Sequence, residues 1–393
     1  MTPDGVSVCL RTGEFFCILT GMAPGKTNLL GMTREGLSDF AAGMNEPRYR
    51  GGQIFTWLYG KGAVSVEDMT DVGKRFRARL QEAAVIEGVT PLLQQFSRRD
   101  GTTKFLFALA DGVRIESVLI PPASAFRGGP ADGPAEMDDE QRRLTLCVST
   151  QVGCPLDCAF CATGTMGFAR NLSAGEIVDQ LLQVRRATGR RITNIVFMGM
   201  GEPLLNYDAV MTAVDIIAAG AGIAAKRMTV STAGRADRIR RMGVEGRRVK
   251  LAVSLHSAVE ETRTRLMPVN RTYGLEALGA AVEEYYRRTK LRVTYEVILF
   301  DGVNDADSDV RRLIAFARRV PSKINIIPYH SIAFTGIGGF AASLRASPRM
   351  DEHVETLRAA RLTVMVRSSA GEDITAACGQ LAVAAEHGRG RNA

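Results

Sequence analysis

The regular alternation of strand-like and helix-like segments from about residue 142 constrains the fold of this chain more than any other feature. Six short runs typical of buried strands are separated by segments with helical periodicity; they are LTLCVST, ITNIVFMG, RMTVSTA, KLAVSLHS, RVTYEVILF and KINIIPYH. A seventh run, LTVMVRSS, precedes the C-terminus. Repeated strand–helix units favour a parallel α/β sheet, and six of them predict a partial (β/α)6 barrel of the TIM type. We expect its active site at the carboxyl ends of the strands.

The chain divides into five predicted regions around this barrel. Residues 1–27 match neither periodicity, and we expect a disordered or misassigned extension there. Residues 28–95 predict a helical, RNA-binding accessory domain, because QIFTWLYGKG and VGKRFRARLQEAAVI are amphipathic and basic. Residues 96–141 predict a β-hairpin with an Asp-Gly turn, followed by a linker. The barrel and a C-terminal cysteine segment take residues 142–381, and residues 382–393 are expected to form a flexible tail.

Composition and charge restrict the class of protein. With 393 residues, of which 46% are hydrophobic, the chain can bury a sizeable core. A net charge of +8 favours a polyanionic partner such as RNA. Seven cysteines without the spacing of a secreted disulfide framework, and no apolar run long enough to span a bilayer, favour a reducing cytoplasm and no membrane association.

A cysteine-rich loop, GCPLDCAFCATGTMGF, directly follows the first predicted strand and carries Cys154, Cys158 and Cys161. Thiolates are soft ligands that select zinc or iron–sulfur clusters. A structural zinc site needs a fourth ligand nearby, but the next histidine is His256 and the next downstream cysteine is Cys378. Three cysteines on one loop after a barrel strand therefore favour a 4Fe–4S cluster with one open iron over zinc.

The spacing of these cysteines, with Phe160 before the third, resembles the signature of the radical S-adenosylmethionine (SAM) superfamily. In that superfamily the open iron chelates SAM, and one electron cleaves SAM to a 5′-deoxyadenosyl radical. Small and polar residues at later strand ends suit the same cofactor. They are Gly201 and Glu202 in MGMGEPLLN, Ser231 in TVSTAG, and Ser254 and His256 in AVSLHS.

Further motifs resemble one family over about residues 28–381, the RlmN/Cfr family of radical SAM RNA adenine methyltransferases. These motifs are VRIESVLIP, MGMGEPL, SLHS, GVND, KINIIP and GEDITAACGQL. The resemblance implies that the three loop cysteines bind the cluster. It implies SAM contacts at Gly201, Glu202, Ser231, Ser254, Leu255 and His256. It implies a further SAM contact at His330, where the chain departs from the family, because many members have Asn there.

The resemblance also implies a two-stage reaction that uses two SAM molecules. Cys378 takes a methyl group from the first, and the radical from the second activates that methyl group for addition to C2 of an adenine in RNA. Cys147 then forms a disulfide with Cys378 to release the methylated RNA, while Glu116 in RIES is the proton acceptor. An external reductant restores the thiols.

The implied partners are 23S rRNA at adenosine 2503, tRNA at adenosine 37, and an electron donor such as flavodoxin, with the enzyme as a monomer. Three alternatives stay open. One is the C8-methylating, resistance-conferring branch of the family, against which Pro203 in GEPL and the RIES motif favour C2. Another is an RNA-binding protein with a structural zinc site, in which Cys147 and Cys378 are dispensable. The third is a radical SAM enzyme acting on protein or metabolite, against which the C-terminal motif argues.

Overall fold

The computed structural model describes residues 25–122 and 143–382. The predicted extension up to residue 24, most of the predicted linker (123–142) and the tail from residue 383 lie outside these described residues. The described chain opens with a short strand, β1 (Thr27–Asn28), which pairs in parallel with β2 (Ala84–Val85). The first strand of the described chain therefore begins one residue before the boundary that the sequence suggested.

Three short helices follow β1, as the amphipathic patterns indicated. They are α1 (Arg34–Gly43), α2 (Tyr49–Phe55), which continues as a π-helical turn over Thr56–Lys61, and α3 (Lys74–Ala83). Thr33 caps α1, since its Oγ1 accepts a hydrogen bond from the Gly36 amide at 3.1 Å.

These helices share one hydrophobic core with the barrel. The buried Tyr59 hydroxyl accepts from the Gly31 amide at 2.9 Å and donates to the Met32 carbonyl at 3.0 Å. The Val89 amide donates to Asp179 Oδ2 of the barrel at 2.8 Å. The accessory helices are thus fixed to the barrel by packing and by buried hydrogen bonds.

A three-stranded antiparallel unit links the helices to the barrel. It consists of β3 (Thr90–Phe96), β4 (Thr103–Ala108) and β5 (Arg114–Ile120). The hairpin of β4 and β5 is the predicted one. The sequence did not predict β3, because every residue of β3 is exposed and the strand has no alternation of burial.

The main sheet has ten strands and combines this unit with seven parallel strands. The strands that complete the numbering are β6 (Thr145–Cys147), β7 (Gln151–Gly153), β8 (Phe168–Asn171), β9 (Asn194–Phe197), β10 (Met228–Thr232), β11 (Lys250–Ser254), β12 (Val293–Val297), β13 (Ser322–Ile326) and β14 (Thr363–Val366). Their order in the sheet is β14-β13-β12-β11-β10-β9-β6-β5-β4-β3, and β7 pairs with β8 apart from it. Within the described residues the end strands β14 and β3 do not pair, so the barrel is open.

Helices alternate with the strands of the barrel region along the chain. They are α4 (Ala162–Thr165), α5 (Ala174–Thr188), α6 (Tyr207–Gly220), α7 (Ala236–Val244), α8 (Glu260–Leu266), α9 (Leu275–Thr289), α10 (Asp307–Ala317), α11 (Gly339–Ser343) and α12 (Met350–Ala359). No helix in the described ranges has the length and apolar character needed to cross a bilayer. The prediction of a partial barrel with accessory helices and a hairpin is confirmed, and β14 adds a seventh parallel strand.

Candidate active site

One cavity opens at the carboxyl ends of the parallel strands and has a volume of about 1350 Å³ including its open mouth. Eleven of the thirteen site residues singled out from the sequence line it. These are Cys147, Cys154, Cys158, Cys161, Gly201, Glu202, Ser231, Ser254, His256, His330 and Cys378. Glu116 and Leu255 do not line it. The fold therefore brings residues that are far apart in the sequence, from Cys147 to Cys378, to one cavity.

The cysteine loop lies between β7 and α4, where backbone hydrogen bonds fix its course. The Cys154 amide donates to the Gly167 carbonyl at 2.8 Å, and the Ala159 amide donates to the Leu266 carbonyl at 2.9 Å. Burial raises the pKa of the Cys154 thiol to about 12, and that of Cys158 well above its usual range. A bound metal group would displace these protons and hold the sulfurs as thiolates.

The spread of the three sulfurs suits an iron–sulfur cluster better than a single ion. One zinc ion with Zn–S bonds of about 2.3 Å holds its sulfurs roughly 3.8 Å apart. The three loop sulfurs do not all lie within 4.8 Å of one another. In the described part of the chain, the one group of three ligands that meets this limit is Asp307, Glu352 and His353. The three loop thiolates fit a 4Fe–4S cluster with an open iron.

Glu202 is buried at the turn after β9, where it joins two strand ends. Its Oε1 accepts from the Leu204 amide at 3.0 Å and its Oε2 accepts from the Ala233 amide at 2.7 Å. Each carboxylate oxygen has a second lone pair available for a cationic ligand group. Burial raises the pKa of Glu202. Gly201 has φ 96°, and a Cβ there would lie 2.5 Å from Gln151 Cβ, so the turn needs glycine.

His256 is buried beside the cysteine loop, with its ring centroid 4.4 Å from that of Phe160. Its Nδ1 accepts from the Ile298 amide at 3.1 Å, which places the proton of the neutral ring on Nε2. Burial, and secondarily the charge of Arg263, lower the pKa of His256 to about 3. The ring is thus a neutral hydrogen-bond donor toward the cavity. Leu255 contributes to the core instead.

Arg263, on α8, is a fully buried cation that the sequence analysis missed. Its Nη2 donates to the Ala233 carbonyl at 2.6 Å and its Nε donates to the Leu255 carbonyl at 3.2 Å. It therefore ties together the chain segments that follow β10 and β11. In the sequence it is one of many arginines on amphipathic helices, and nothing local marks it as buried.

The segment after β14 carries Cys378 to the cysteine loop. The Gly379 carbonyl accepts from the Ala162 amide at 2.7 Å, and the Leu381 carbonyl accepts from Thr163 Oγ1 at 2.6 Å. Cys378 is exposed and lines the cavity. Neighbouring protein atoms raise the pKa of its thiol by desolvation, while the nearby Arg367 guanidinium lowers it.

Cys147 ends β6 and faces the same cavity. Burial, and secondarily the charge of Cys378, raise the pKa of Cys147 to about 12. The five cysteines in the described residues are free thiols, so the expected Cys147–Cys378 disulfide is not formed in this structure. The bond that the resemblance implies belongs to one step of a redox cycle rather than to the fold, so its formation stays a prediction.

Glu116 lies in β5 and contacts the C-terminal segment indirectly. Its Oε1 is 3.1 Å from Lys104 Nζ, which also donates to the Thr375 carbonyl at 3.3 Å. Burial raises the pKa of Glu116, and Lys104 opposes this shift. His330 is buried, with Nδ1 3.3 Å from Glu372 Oε1. The proton-acceptor role of Glu116 and the SAM contact at His330 both stay predictions.

Two charged residues that the sequence analysis did not single out lie in the cavity wall. Glu296 in β12 accepts a hydrogen bond at Oε1 from Asn325 Nδ2 at 3.0 Å. Its Oε2 is 3.7 Å from Nη1 of Arg367, which follows β14. Burial raises the pKa of Glu296, and Arg367 opposes this shift. An isolated glutamate within one strand and an isolated arginine just after another gave no sequence signal.

Comparison with known proteins agrees with the geometry. Residues 27–86 match the ribosomal RNA large subunit methyltransferase N-terminal domain, and residues 148–314 match the radical SAM superfamily. That superfamily uses a 4Fe–4S cluster with SAM, for which the donor set of the cysteine loop is suited.

Relatives extend the match to most of the chain. The probable dual-specificity RNA methyltransferase RlmN of Salinibacter ruber is 43% identical over 92% of this chain and 95% of its own length. The corresponding protein of Syntrophobacter fumaroxidans is 44% identical over 90% of this chain and 96% of its own. A crystal structure of a radical SAM methyltransferase from Sphaerobacter thermophilus aligns with a TM-score of 0.78 at 39% identity, covering 90% of this chain and 99% of that one. The chain therefore belongs to the RlmN family of radical SAM RNA methyltransferases.

Proposed function

We propose that this protein methylates C2 of adenosine in RNA through an S-methylated Cys378, consuming two SAM per turnover. The observation that carries the proposal is the convergence of Cys378 and Cys147 with the cysteine loop in one cavity. Radical generation alone calls only for the loop cysteines. Transfer of a methyl group through a protein sulfur needs two further thiols in the same cavity, and Cys378 and Cys147 are such a pair.

In the first stage, the Cys378 thiolate attacks the methyl carbon of SAM. A C–S bond forms at Cys378, S-adenosylhomocysteine leaves, and the thiol proton has already been lost. The positive charge of Arg367 beside this sulfur favours the reactive thiolate. The cluster, when bound, supplies the electron that converts a further SAM into a carbon radical.

In the second stage, a hydrogen atom is removed from the S-methyl group of Cys378, and the resulting methylene carbon joins the adenine ring at C2. The ring proton passes to Cys147 or Glu116, and the unpaired electron would return to the cluster that the loop cysteines would hold. The Cys147 thiolate then attacks the Cys378 sulfur, so that an S–S bond forms as the C–S bond breaks. The carbon keeps the bonding electrons, takes up a proton and stays on the RNA as a methyl group. The shared cavity of Cys147 and Cys378 supports this step. An external two-electron reductant restores both thiols.

The proposed substrates are 23S rRNA and tRNA, at adenosines 2503 and 37. The names of the relatives describe them as dual-specificity RNA methyltransferases, which supports both. We further propose a monomer in a reducing cytoplasm, with an electron donor such as flavodoxin. The target base must be flipped out or already unpaired to enter the cavity.

Mass spectrometry of product RNA tests this proposal. Anaerobically reconstituted enzyme is turned over with methyl-deuterated SAM and fragments of 23S rRNA or tRNA. We expect a methyl group with two deuterium atoms on adenine C2, together with a labelled peptide that contains Cys378. Label on C8 would assign the protein to the other branch of the family, and unlabelled RNA would refute the proposal.

Cysteine variants provide the matched comparison. Cys378→Ala is expected to abolish RNA methylation, and Cys147→Ala to trap RNA covalently on Cys378. Cys17→Ala, which lies before the matched N-terminal domain, is expected to leave both outcomes as in the unmodified enzyme. Full activity of the Cys378 variant would contradict transfer through that sulfur.

A further inference from the structure

A buried carboxylate oxygen in the cavity wall lacks a hydrogen-bond partner. Glu296 is 3% exposed, and its Oε2 makes no hydrogen bond within the described residues. Its other oxygen, Oε1, accepts from Asn325. Because a buried polar atom without a partner costs free energy, such an atom in a cavity indicates a place where a ligand supplies the missing donor.

The cation beside this oxygen also has unused hydrogen-bonding capacity. The Arg367 side chain is 30% exposed and lines the cavity. Its Nη1 donates a hydrogen bond to Met198 Sδ at 3.6 Å and lies 3.7 Å from Glu296 Oε2, a distance long for a hydrogen bond between nitrogen and oxygen. A guanidinium has five N–H donors in a plane, so several of them are available to a ligand.

An acceptor and a donor side by side match the edge of an adenine. The exocyclic N6 amino group is a donor and the adjacent N1 is an acceptor, whereas guanine presents an O6 acceptor and an N1–H donor. Enzymes that act on extruded bases read this edge with hydrogen bonds. We propose that Glu296 Oε2 accepts from N6 of the target adenine while the Arg367 guanidinium donates to its N1.

This inference rests on the proposed function and adds to it the residues that recognise the base. It also agrees with the position of the thiols. Arg367 interacts electrostatically with both Cys378 and Cys147. Because C2 is bonded to N1, a base held at N1 by Arg367 presents C2 toward these two sulfurs. Donation to N1 also withdraws electron density from the ring carbon that is to be attacked.

Base analogues in the RNA test the pairing. Short RNA hairpins carry adenosine, purine riboside (without the N6 amino group) or 1-deazaadenosine (without N1) at the target position. Affinities are measured by competition at elevated salt, because phosphate contacts otherwise dominate. Loss of a hydrogen bond to a charged group predicts roughly ten- to hundredfold weaker binding of each analogue by the unmodified protein.

Variants show which residue reads which atom. In Glu296→Ala, removal of the N6 amino group is expected to weaken binding by less than about twofold, because its partner is gone. In Arg367→Met, the same insensitivity is expected for removal of N1. Glu296→Gln keeps an acceptor oxygen and is expected to retain part of the discrimination. Glu283→Ala, at a surface carboxylate paired with Arg319, is the control and should discriminate as the unmodified protein does.

Methylation of Cys378 in the absence of RNA separates base recognition from SAM binding and folding. Glu296→Gln is expected still to acquire this methyl group, because loss of the Glu296 charge lowers rather than raises the pKa of Cys378. If the variant loses methylation while discrimination between the base analogues persists, Glu296 contacts SAM and the inference is overturned. Equal affinity of the unmodified protein for adenosine and purine riboside hairpins overturns it without any variant. Absence of all RNA methylation by the unmodified protein would instead refute the proposed function.

Discussion

At the scale of single residues, one cation, Arg367, stabilises the thiolate forms of two cysteines. Burial raises the pKa of both Cys378 and Cys147, and the Arg367 charge lowers both. Since only a thiolate is an effective nucleophile, Arg367 offsets part of the cost of enclosing these sulfurs. Desolvation without a neighbouring cation would leave both thiols protonated at neutral pH.

Replacement of Arg367 should therefore slow alkylation of Cys378. In Arg367→Met the pKa of the thiol rises, the thiolate fraction at pH 8 falls, and labelling by iodoacetamide in the cluster-loaded protein slows by roughly three- to tenfold. The measured pH profile shifts to higher pH. Arg367→Lys should restore most of the rate. Arg358→Met, at an exposed arginine of α12, is the control, and an unshifted profile in Arg367→Met would contradict this role.

At the scale of elements, the C-terminal segment is attached to two distant parts of the chain. The Gly371 amide donates to Asp100 Oδ2 at 2.8 Å, on the turn between β3 and β4. Further on, Thr163 Oγ1 of α4 donates to the Leu381 carbonyl at 2.6 Å. The segment thus runs from the antiparallel edge of the open barrel to the cysteine loop, and Cys378 lies between its attachments.

Removing the Thr163 hydrogen bond, one of two at the second attachment, should loosen the segment. Thr163→Val leaves the buried Leu381 carbonyl without its donor, at a cost of about 1–3 kcal/mol. Hydrogen exchange of residues 376–382 is then expected to quicken by roughly tenfold or more, and methylation of Cys378 to slow. Thr165→Val is the matched control, because the Thr165 hydroxyl bonds only within its own turn, to the Ala162 carbonyl. Equal exchange in the two variants would show that this hydrogen bond does not hold the segment.

The crossing of α1 and α2 depends on a glycine. A Cβ at Gly51 would lie 2.2 Å from the Ser38 amide nitrogen, so the two helix backbones would have to separate. Gly51→Ala should cost on the order of 2 kcal/mol or more and lower the melting temperature by several degrees. Gly43→Ala, where nothing lies within 4 Å of the new Cβ, should be neutral or slightly stabilising. Differential scanning calorimetry of both variants decides the point.

At the scale of the whole molecule, a net charge of +8 and the fixed placement of the accessory helices together suit RNA. The helices share a core with the barrel, so their basic side chains keep a constant position relative to the cavity. A rigid arrangement of this kind lets phosphate contacts position the RNA while the cavity acts on one base.

Exposed Lys74 and Arg75 at the start of α3 should contribute to the binding of RNA phosphates. In the double variant Lys74→Gln/Arg75→Gln, the slope of log affinity against log salt concentration should become shallower by roughly 1 to 2. Fluorescence anisotropy with a tRNA at several salt concentrations measures it. The pair Arg311→Gln/Arg312→Gln, exposed on α10, serves as the control. Equal slopes for the two double variants would place the RNA elsewhere.

Much of the architecture could be predicted because short segments of the sequence carry the periodicity and turn residues of their elements. All seven strand-like runs are strands, and the cysteine loop lies after the first barrel strand, where it was expected. Burial alternates along β10 and β13, and turn chemistry marks the hairpin between β4 and β5. β3 escaped prediction because its side chains are all exposed and its place depends on pairing with β4.

The sequence by itself therefore determined the order of strands and helices, the cysteine loop and the residues of the recognised motifs. Tertiary structure decided which distant residues meet. The Thr163–Leu381 hydrogen bond spans 218 positions, and the pairing of Glu296 with Arg367 joins two different strands of the barrel. Local periodicity reports only which face of an element is buried. Which charges share a cavity, and hence the state of each thiol, follows from burial and distances that exist only once the barrel has formed.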